Sequence, residues 1–273
     1  VYRIRSHDDH LAKRHVVRYS VFRLCNPNVS VMSHHAHVIE LQEVSYQYPE
    51  GPPILDQLDL VVHSGDHMGL VAPNGSGKTT LFHIIMGLLR PDQGSVRIFG
   101  QKRTQEKDFW EVRQRIGLLF QDADDQLFNP TVLEDVAFGP LNQGKSKDEA
   151  LEISKQTLAS LDLQGFEDRL TFKLSGGEKR LVSLATILAM EPEVLLLDEP
   201  TTGLDQRTKI RLMEILPELD LTRIVISHEY DFLSKTTDHI YTMENGKILM
   251  DEELHIHVHE HAHRVGHQPH RHV

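Results

Sequence analysis

Three stretches of this chain carry side chains able to act on a phosphate group. The first, residues 67–80, reads HMGLVAPNGSGKTT. Gly75 and Gly77 let a backbone curl until successive N–H groups face one anion. A helix starting there adds partial positive charge at the same point. In such a loop Lys78 reaches the β- and γ-phosphates, and the Thr79 hydroxyl ligates Mg²⁺. The second stretch is Asp198-Glu199, directly after the apolar run 194–197. Asp198 can hold Mg²⁺ through water, and Glu199 can orient and deprotonate an attacking water. The third is His228, behind the apolar run 224–226. A lone histidine is usually structural, but one at the same sheet edge as Asp198 reaches a terminal phosphate.

These groups need a scaffold that brings distant segments together. Residues 68–71 read as a strand entering the Gly-rich loop, with a helix-patterned run over 81–89 behind it. Residues 194–197 and 224–226 are continuous apolar runs, as strands buried on both faces require. Open α/β sheets bind ligands at the carboxyl ends of such strands, where Asp198, Glu199 and His228 fall. Residues 38–46 and 58–62 read as further strands separated by a Gly51-Pro52-Pro53 turn, and residues 94–99 as another. Tyr46 or Tyr48 is either a base-stacking aromatic or a cross-strand packing residue. Residues 116–120 form one more strand, ending at Gln121. Thr131 caps a short helix, and 146–161 has helical composition. Residues 122–173 therefore read as a helical insert.

Residues 174–178, LSGGE, open a helical run to Met190, with Ser175 and Glu178 in capping-box spacing. On the residues alone this is a helix start. A second anion site at that helix end, with Gly176 and Gly177 admitting a close approach, is the other reading. The fold class expected is α/β: a P-loop NTPase core of mostly parallel sheet flanked by helices, with a small antiparallel β-subdomain and the helical insert.

The 273 residues, 39% hydrophobic and 25% charged, describe an ordinary globular chain. A formal net charge of −11 argues against nonspecific nucleic-acid binding. Cys25 is the single cysteine, so no intrachain disulfide forms. The most apolar stretch, 181–197, is interrupted by Glu191-Pro192-Glu193, and no membrane span is expected. Residues 1–37 read as a leader without sustained period, and Met32 as the biological start. Residues 38–250 form the expected catalytic domain, and 251–273 a His-rich tail. The chain has nineteen histidines, and most of them crowd the two ends. His255, His257, His259, His261 and His263 alternate, so an extended tail puts them on one face. Neutral imidazoles suit Ni²⁺ or Co²⁺, which makes the tail a candidate for metal storage or sensing. A solvated tail is the plain alternative.

Residues 72–80 (APNGSGKTT), 120–122 (FQD), 174–178, 194–200 (VLLLDEP), 203–205 (GLD) and 226–228 (ISH) occur in one order and spacing. Together they closely resemble the nucleotide-binding subunit of ATP-binding-cassette transporters, over about residues 38–250. The stretch 120–142 is most similar to the ATPase of energy-coupling-factor transporters, especially cobalt and nickel importers. The resemblance implies an ATPase with ATP and Mg²⁺ as cofactors. It implies Tyr48 under the adenine, and Asn74, Gly75, Ser76, Gly77, Lys78, Thr79 and Thr80 around the phosphates. Gln121 would touch Mg²⁺ and the lytic water. Ser175 and Gly177 would bind the γ-phosphate of an opposite subunit, Asp205 would couple the two sites, and His228 would clamp the γ-phosphate against Glu199. The implied partners are a second ATPase subunit and integral membrane transport subunits, at the cytoplasmic face of the cell membrane, with no nucleic acid. A vitamin or other micronutrient importer, or a soluble non-transport cassette protein, are the alternatives. Ala72, Leu181, Gln206 and Glu229 depart from the family's usual residues, and none removes a group assigned to chemistry.

Overall fold

The computed structural model describes residues 37–249. The leader and the tail histidines His255, His257, His259, His261 and His263 lie outside the described residues.

The chain opens with two long strands, β1 (His37–Gln47) and β2 (Pro53–His63), paired antiparallel with Leu41 opposite Leu60. Strand β2 begins at Pro53, so the expected second strand extends back into what reads as a turn. Proline is tolerated there because it opens the strand and donates no ladder bond. β3 (His67–Val71) then leads through the Gly-rich loop to α1 (Lys78–Ile85). This helix starts earlier and stops earlier than its apolar pattern suggests. Gly87 takes φ +67, and a Cβ there would meet the Phe109 ring at 2.2 Å. The left-handed residue ends the helix while the apolar residues beyond it still pack.

β4 (Gln93–Ile98) pairs with β1, and β5 (Gln101–Lys102) with β4, which completes a four-stranded antiparallel sheet. α2 (Trp110–Arg115) feeds β6 (Ile116–Leu119). α3 (Val132–Asn142) and α4 (Lys147–Ser160) make up the insert. Thr131 with Glu134, and Ser146 with Glu149, cap them reciprocally, satisfying first-turn N–H groups. α5 (Gly176–Leu188) is capped by Ser175 and Glu178 in the same way. β7 (Val194–Asp198), α6 (Gln206–Glu218), β8 (Thr222–Ile226), α7 (Tyr230–Thr236), β9 (His239–Glu244) and β10 (Lys247–Leu249) follow.

The second sheet runs β10-β9-β3-β8-β7-β6. Its neighbours from β9 to β6 are parallel, and β10 adds an antiparallel edge. Alternation along β7 divides its side chains between two cores. Val194 and Leu196 pack with α1 and the antiparallel strands. Leu195 and Leu197 pack with the α3–α7 side. A strand buried on both faces is held rigidly, which makes its carboxyl end a firm mount for chemistry. Among the described residues no helix is long and apolar enough to cross a membrane.

Candidate nucleotide site

Strand β8 lies between β3 and β7, so the three carboxyl ends stand side by side. Main-chain bonds lock them together. Ser227 N–H donates to Leu70 O at 3.1 Å, and Glu199 N–H donates to Ile226 O at 2.9 Å. The residues read as separate motifs therefore meet at one edge.

Lys78 and Glu199 are both buried, and Lys78 Nζ donates to Glu199 Oε1 at 2.9 Å. The same ammonium faces Ala72 O at 3.3 Å and Asn74 Oδ1 at 3.4 Å. His228 Nδ1 lies 2.8 Å from Glu199 Oε2. Glu199 itself sits at φ +46. A left-handed backbone at a non-glycine residue costs about 1–3 kcal/mol and persists where the surroundings impose it. Ala72 is spared such strain: it is absent from the left-handed residues, while Gly75 (φ +80) and Gly77 (φ +99) take the sharp turns. A Cβ on Gly77 would stand 2.9 Å from Ile54 O, so that position is closed to side chains.

Beside this cluster, Thr79 Oγ1 donates to Asp198 Oδ2 at 2.8 Å. Asp198 ends β7 and is buried. Burial pushes its carboxyl above the usual range, and Glu199 adds to this; the Thr79 bond and Lys78 pull the other way. Its Oδ1 is buried without a hydrogen-bond partner among the described residues. An anionic oxygen left without a partner, next to a threonine hydroxyl, is the hard-oxygen chemistry Mg²⁺ takes. The start of α1 fits an anion equally well. Its first turn carries no acidic residue and its cap makes no side-chain bond, so the orphan N–H groups stay available. Buried Ser76 Oγ likewise has no partner among the described residues.

Thr79, Gln121, Asp198, Gly176 and Arg180 line one cleft of about 840 Å³. Gln121 therefore shares a cleft with Thr79 and Asp198. Arg180 escaped sequence reasoning. It is buried, and its guanidinium donates to the Phe120 and Gln121 carbonyls, strapping that loop to α5. Burial lowers its pKa, against the charges of Asp122 and Asp198. Only the position of an arginine one turn into a helix could have signalled this.

Ser175 serves as helix cap: its Oγ accepts from Glu178 N at 3.3 Å, and Glu178 Oε2 accepts from Ser175 N at 2.8 Å. Yet Ser175 and Gly176 are exposed, and nothing lies within 4 Å of a Cβ built on Gly176. The helix end is thus both capped and open. Gly177 is buried against Thr208 and Asp205. Asp205 caps α6, accepting from Arg207 N at 2.9 Å and Thr208 N at 3.1 Å. Tyr48 is partly exposed, edge-on to Tyr46 at 5.0 Å, and its hydroxyl lies 3.2 Å from Thr80 Oγ1. The Thr80 hydroxyl is thereby turned toward a tyrosine, while Tyr48 stands against the loop's helix.

A Gly-rich loop, its lysine, strand-end carboxylates and a histidine along one edge of a mainly parallel sheet define a P-loop nucleoside triphosphatase. Comparisons with known proteins narrow this. The family model described as "ABC transporter" matches residues 55–202. An energy-coupling factor transporter ATP-binding protein, EcfA of Methanothermobacter thermautotrophicus, is 42% identical over 218 residues, covering 78% of this chain and 70% of its own. Among solved structures, cbiO1 from Clostridium perfringens, part of the ABC transporter complex cbiONQ, has TM-score 0.72 and 32% identity. The match covers 79% of this chain and 88% of that one. The dimeric structure of MJ0796, a bacterial ABC transporter cassette, has TM-score 0.70 and 27% identity, covering 77% and 96%. The chain belongs to the ABC transporter family and is an ABC-type ATPase.

Proposed function

We propose that this chain is the ATP-hydrolysing subunit of an energy-coupling-factor importer for cobalt or nickel ions, seated peripherally at the cytoplasmic face of the membrane. The carrying observation is the buried Lys78–Glu199 pair, with the exposed His228 against its carboxylate, beside the Thr79–Asp198 pair. Glu199 is the base: held at both oxygens, it accepts a proton from a water aimed at the γ-phosphate. Lys78 and the N–H groups of residues 74–80 take the phosphate charge, and His228 clamps the γ-phosphate from the other side. Tyr48 stacks on the adenine. Thr79, Asp198 and Gln121 would hold Mg²⁺, which supplies charge neutralisation on the phosphate oxygens.

A second ATPase subunit, identical or homologous, completes each site with its own Ser175, Gly176 and Gly177, while Asp205 links the two sites. The open end of α5 supports that reading, because its donors have room for an acceptor from outside the chain. The membrane subunits dock on the insert. There Phe128 and Phe138 stack edge-on at 4.8 Å while exposed, an apolar pair set out toward water. The names of EcfA and of the cbiONQ complex support the transporter class. The alternating His255, His257, His259, His261 and His263 favour a transition-metal cargo over a vitamin, by storing or sensing Ni²⁺ or Co²⁺.

Four measurements test these layers. The full chain should hydrolyse MgATP and Glu199→Gln should not. Detergent extraction of the tagged chain should bring down an integral membrane protein; its absence would overturn the transport assignment. Cells lacking the chain should lose Co²⁺ or Ni²⁺ uptake, and a chain cut after Met250 should bind Ni²⁺ more weakly than the full one.

A further inference from the structure

His228 touches Glu199, yet its side chain is 64% exposed, so packing does little to fix the ring. Its position is set by the backbone of its loop. The next residue anchors that loop. Glu229 Oε1 and Oε2 accept from Lys209 Nζ at 2.7 and 2.8 Å. Oε1 also accepts from Thr201 Oγ1 at 2.8 Å, and Glu229 N–H donates to Ser227 Oγ at 3.1 Å. Thr201 is fully buried, a short step after Glu199. The one carboxylate therefore joins three segments: the loop of His228, the loop behind Glu199, and α6.

Lys209 carries the connection onward. Its N–H donates to Asp205 O at 3.1 Å in the first turn of α6. Thr208 Oγ1 donates to Asp205 Oδ2 at 2.9 Å. A Cβ on Gly177 would stand 2.5 Å from Thr208 Oγ1, so the start of α6 lies hard against the tip of α5. A continuous path of polar contacts and close packing runs from Gly177 through α6, Lys209 and Glu229 to His228 and Glu199.

We propose that Lys209 and Glu229 form a positioning pair that holds His228 against Glu199 and ties that contact to the tip of α5. The proposal rests on the roles given above to Glu199 and His228. The pair is partly buried, and both carboxylate oxygens are engaged by one ammonium, which makes it stronger than an ordinary surface ion pair. Burial pushes the Glu229 carboxyl upward, but Lys209 and Thr201 outweigh it and hold the group below its ordinary value.

The test uses the full chain with the subunits that purify with it, hydrolysing MgATP. For Lys209→Met, kcat should fall about tenfold while KM for ATP changes less than about twofold. Lys209→Arg, which keeps the charge and reach, should recover most of kcat. Adding Lys209→Met to Glu229→Gln should cost nothing further, because the pair acts as a unit. Wild-type kcat in Lys209→Met overturns the proposal. So do equal losses in Lys209→Met and Lys209→Arg, or losses that multiply in the double variant. Glu199→Gln serves as the control: if it hydrolyses ATP, the reading of the site fails; if it is inactive while Lys209→Met is normal, the positioning pair alone fails.

Discussion

The strand-end cluster and the tip of α5 are built on opposite plans, though Thr79 and Asp198 beside the first share a cleft with Gly176 of the second. The first is closed on itself: Lys78, Glu199 and His228 satisfy one another, and Lys78 and Glu199 are nearly inaccessible. The second is open: Ser175 and Gly176 face solvent, with empty space where a side chain on Gly176 would project. Charges buried against partners within the chain give a site fixed before substrate arrives. An exposed helix end with glycines gives one that waits for an acceptor. An ATPase that requires two chains needs one region of each kind.

The contrast breaks at once if the closed region is not the chemical one. Glu199→Gln should cut steady-state hydrolysis at least about 100-fold and leave MgATP binding intact. A phosphate-release assay paired with calorimetry reads both. Gly176→Asp tests the open region. Space for the side chain is available, so the chain should fold and bind ATP, but a carboxylate at the helix end repels phosphate. ATP-dependent dimerisation by light scattering, measured in a Glu199→Gln background, should disappear. Lys78→Ala should weaken ATP binding about 10-fold or more, the value of a lost charge-assisted contact. Unchanged binding would remove Lys78 from the site.

The smallest effect concerns pH. Burial raises the Asp198 carboxyl above its ordinary value, so the folded state holds its proton more firmly than the unfolded one. Below about pH 4 both states are protonated and nothing is lost. As pH rises past that point, the unfolded state ionises first and the fold loses stability. Without Mg²⁺, Asp198→Asn should therefore melt higher than wild type, with a gap that widens from about pH 4 upward until the folded-state carboxyl has also ionised. Thermal unfolding at several pH values checks this. A gap that narrows over the same range would mean that Lys78 and Thr79 dominate burial.

Much of this was legible in the sequence because the signals are local. Ser175 and Glu178 announce a helix start through spacing, Thr131 reads as a cap and 146–161 as helical by composition, and each of the three helices opens with a capping box. The apolar runs before Asp198 and His228 read as buried strands because their side chains serve two cores. What the sequence hid is non-local. The early end of α1 depends on Gly87 meeting Phe109. Arg180 and the Lys209–Glu229 pair act on segments separated from them by many residues, and no periodicity records such contacts. Burial of Asp198 and Glu199 was likewise invisible, since an acidic dipeptide after a strand does not record how deeply its carboxylates sit.

The twisted backbone at Glu199 sets a limit on how robust this chain can become. Glycine accepts that geometry at no steric cost, so Glu199→Gly should relax the main chain, but it would leave the buried Lys78 ammonium without its carboxylate. Heat resistance is therefore not gained by releasing the strain alone, because the residue that carries it also neutralises a buried charge. The chain keeps its tension at the position proposed above as the general base.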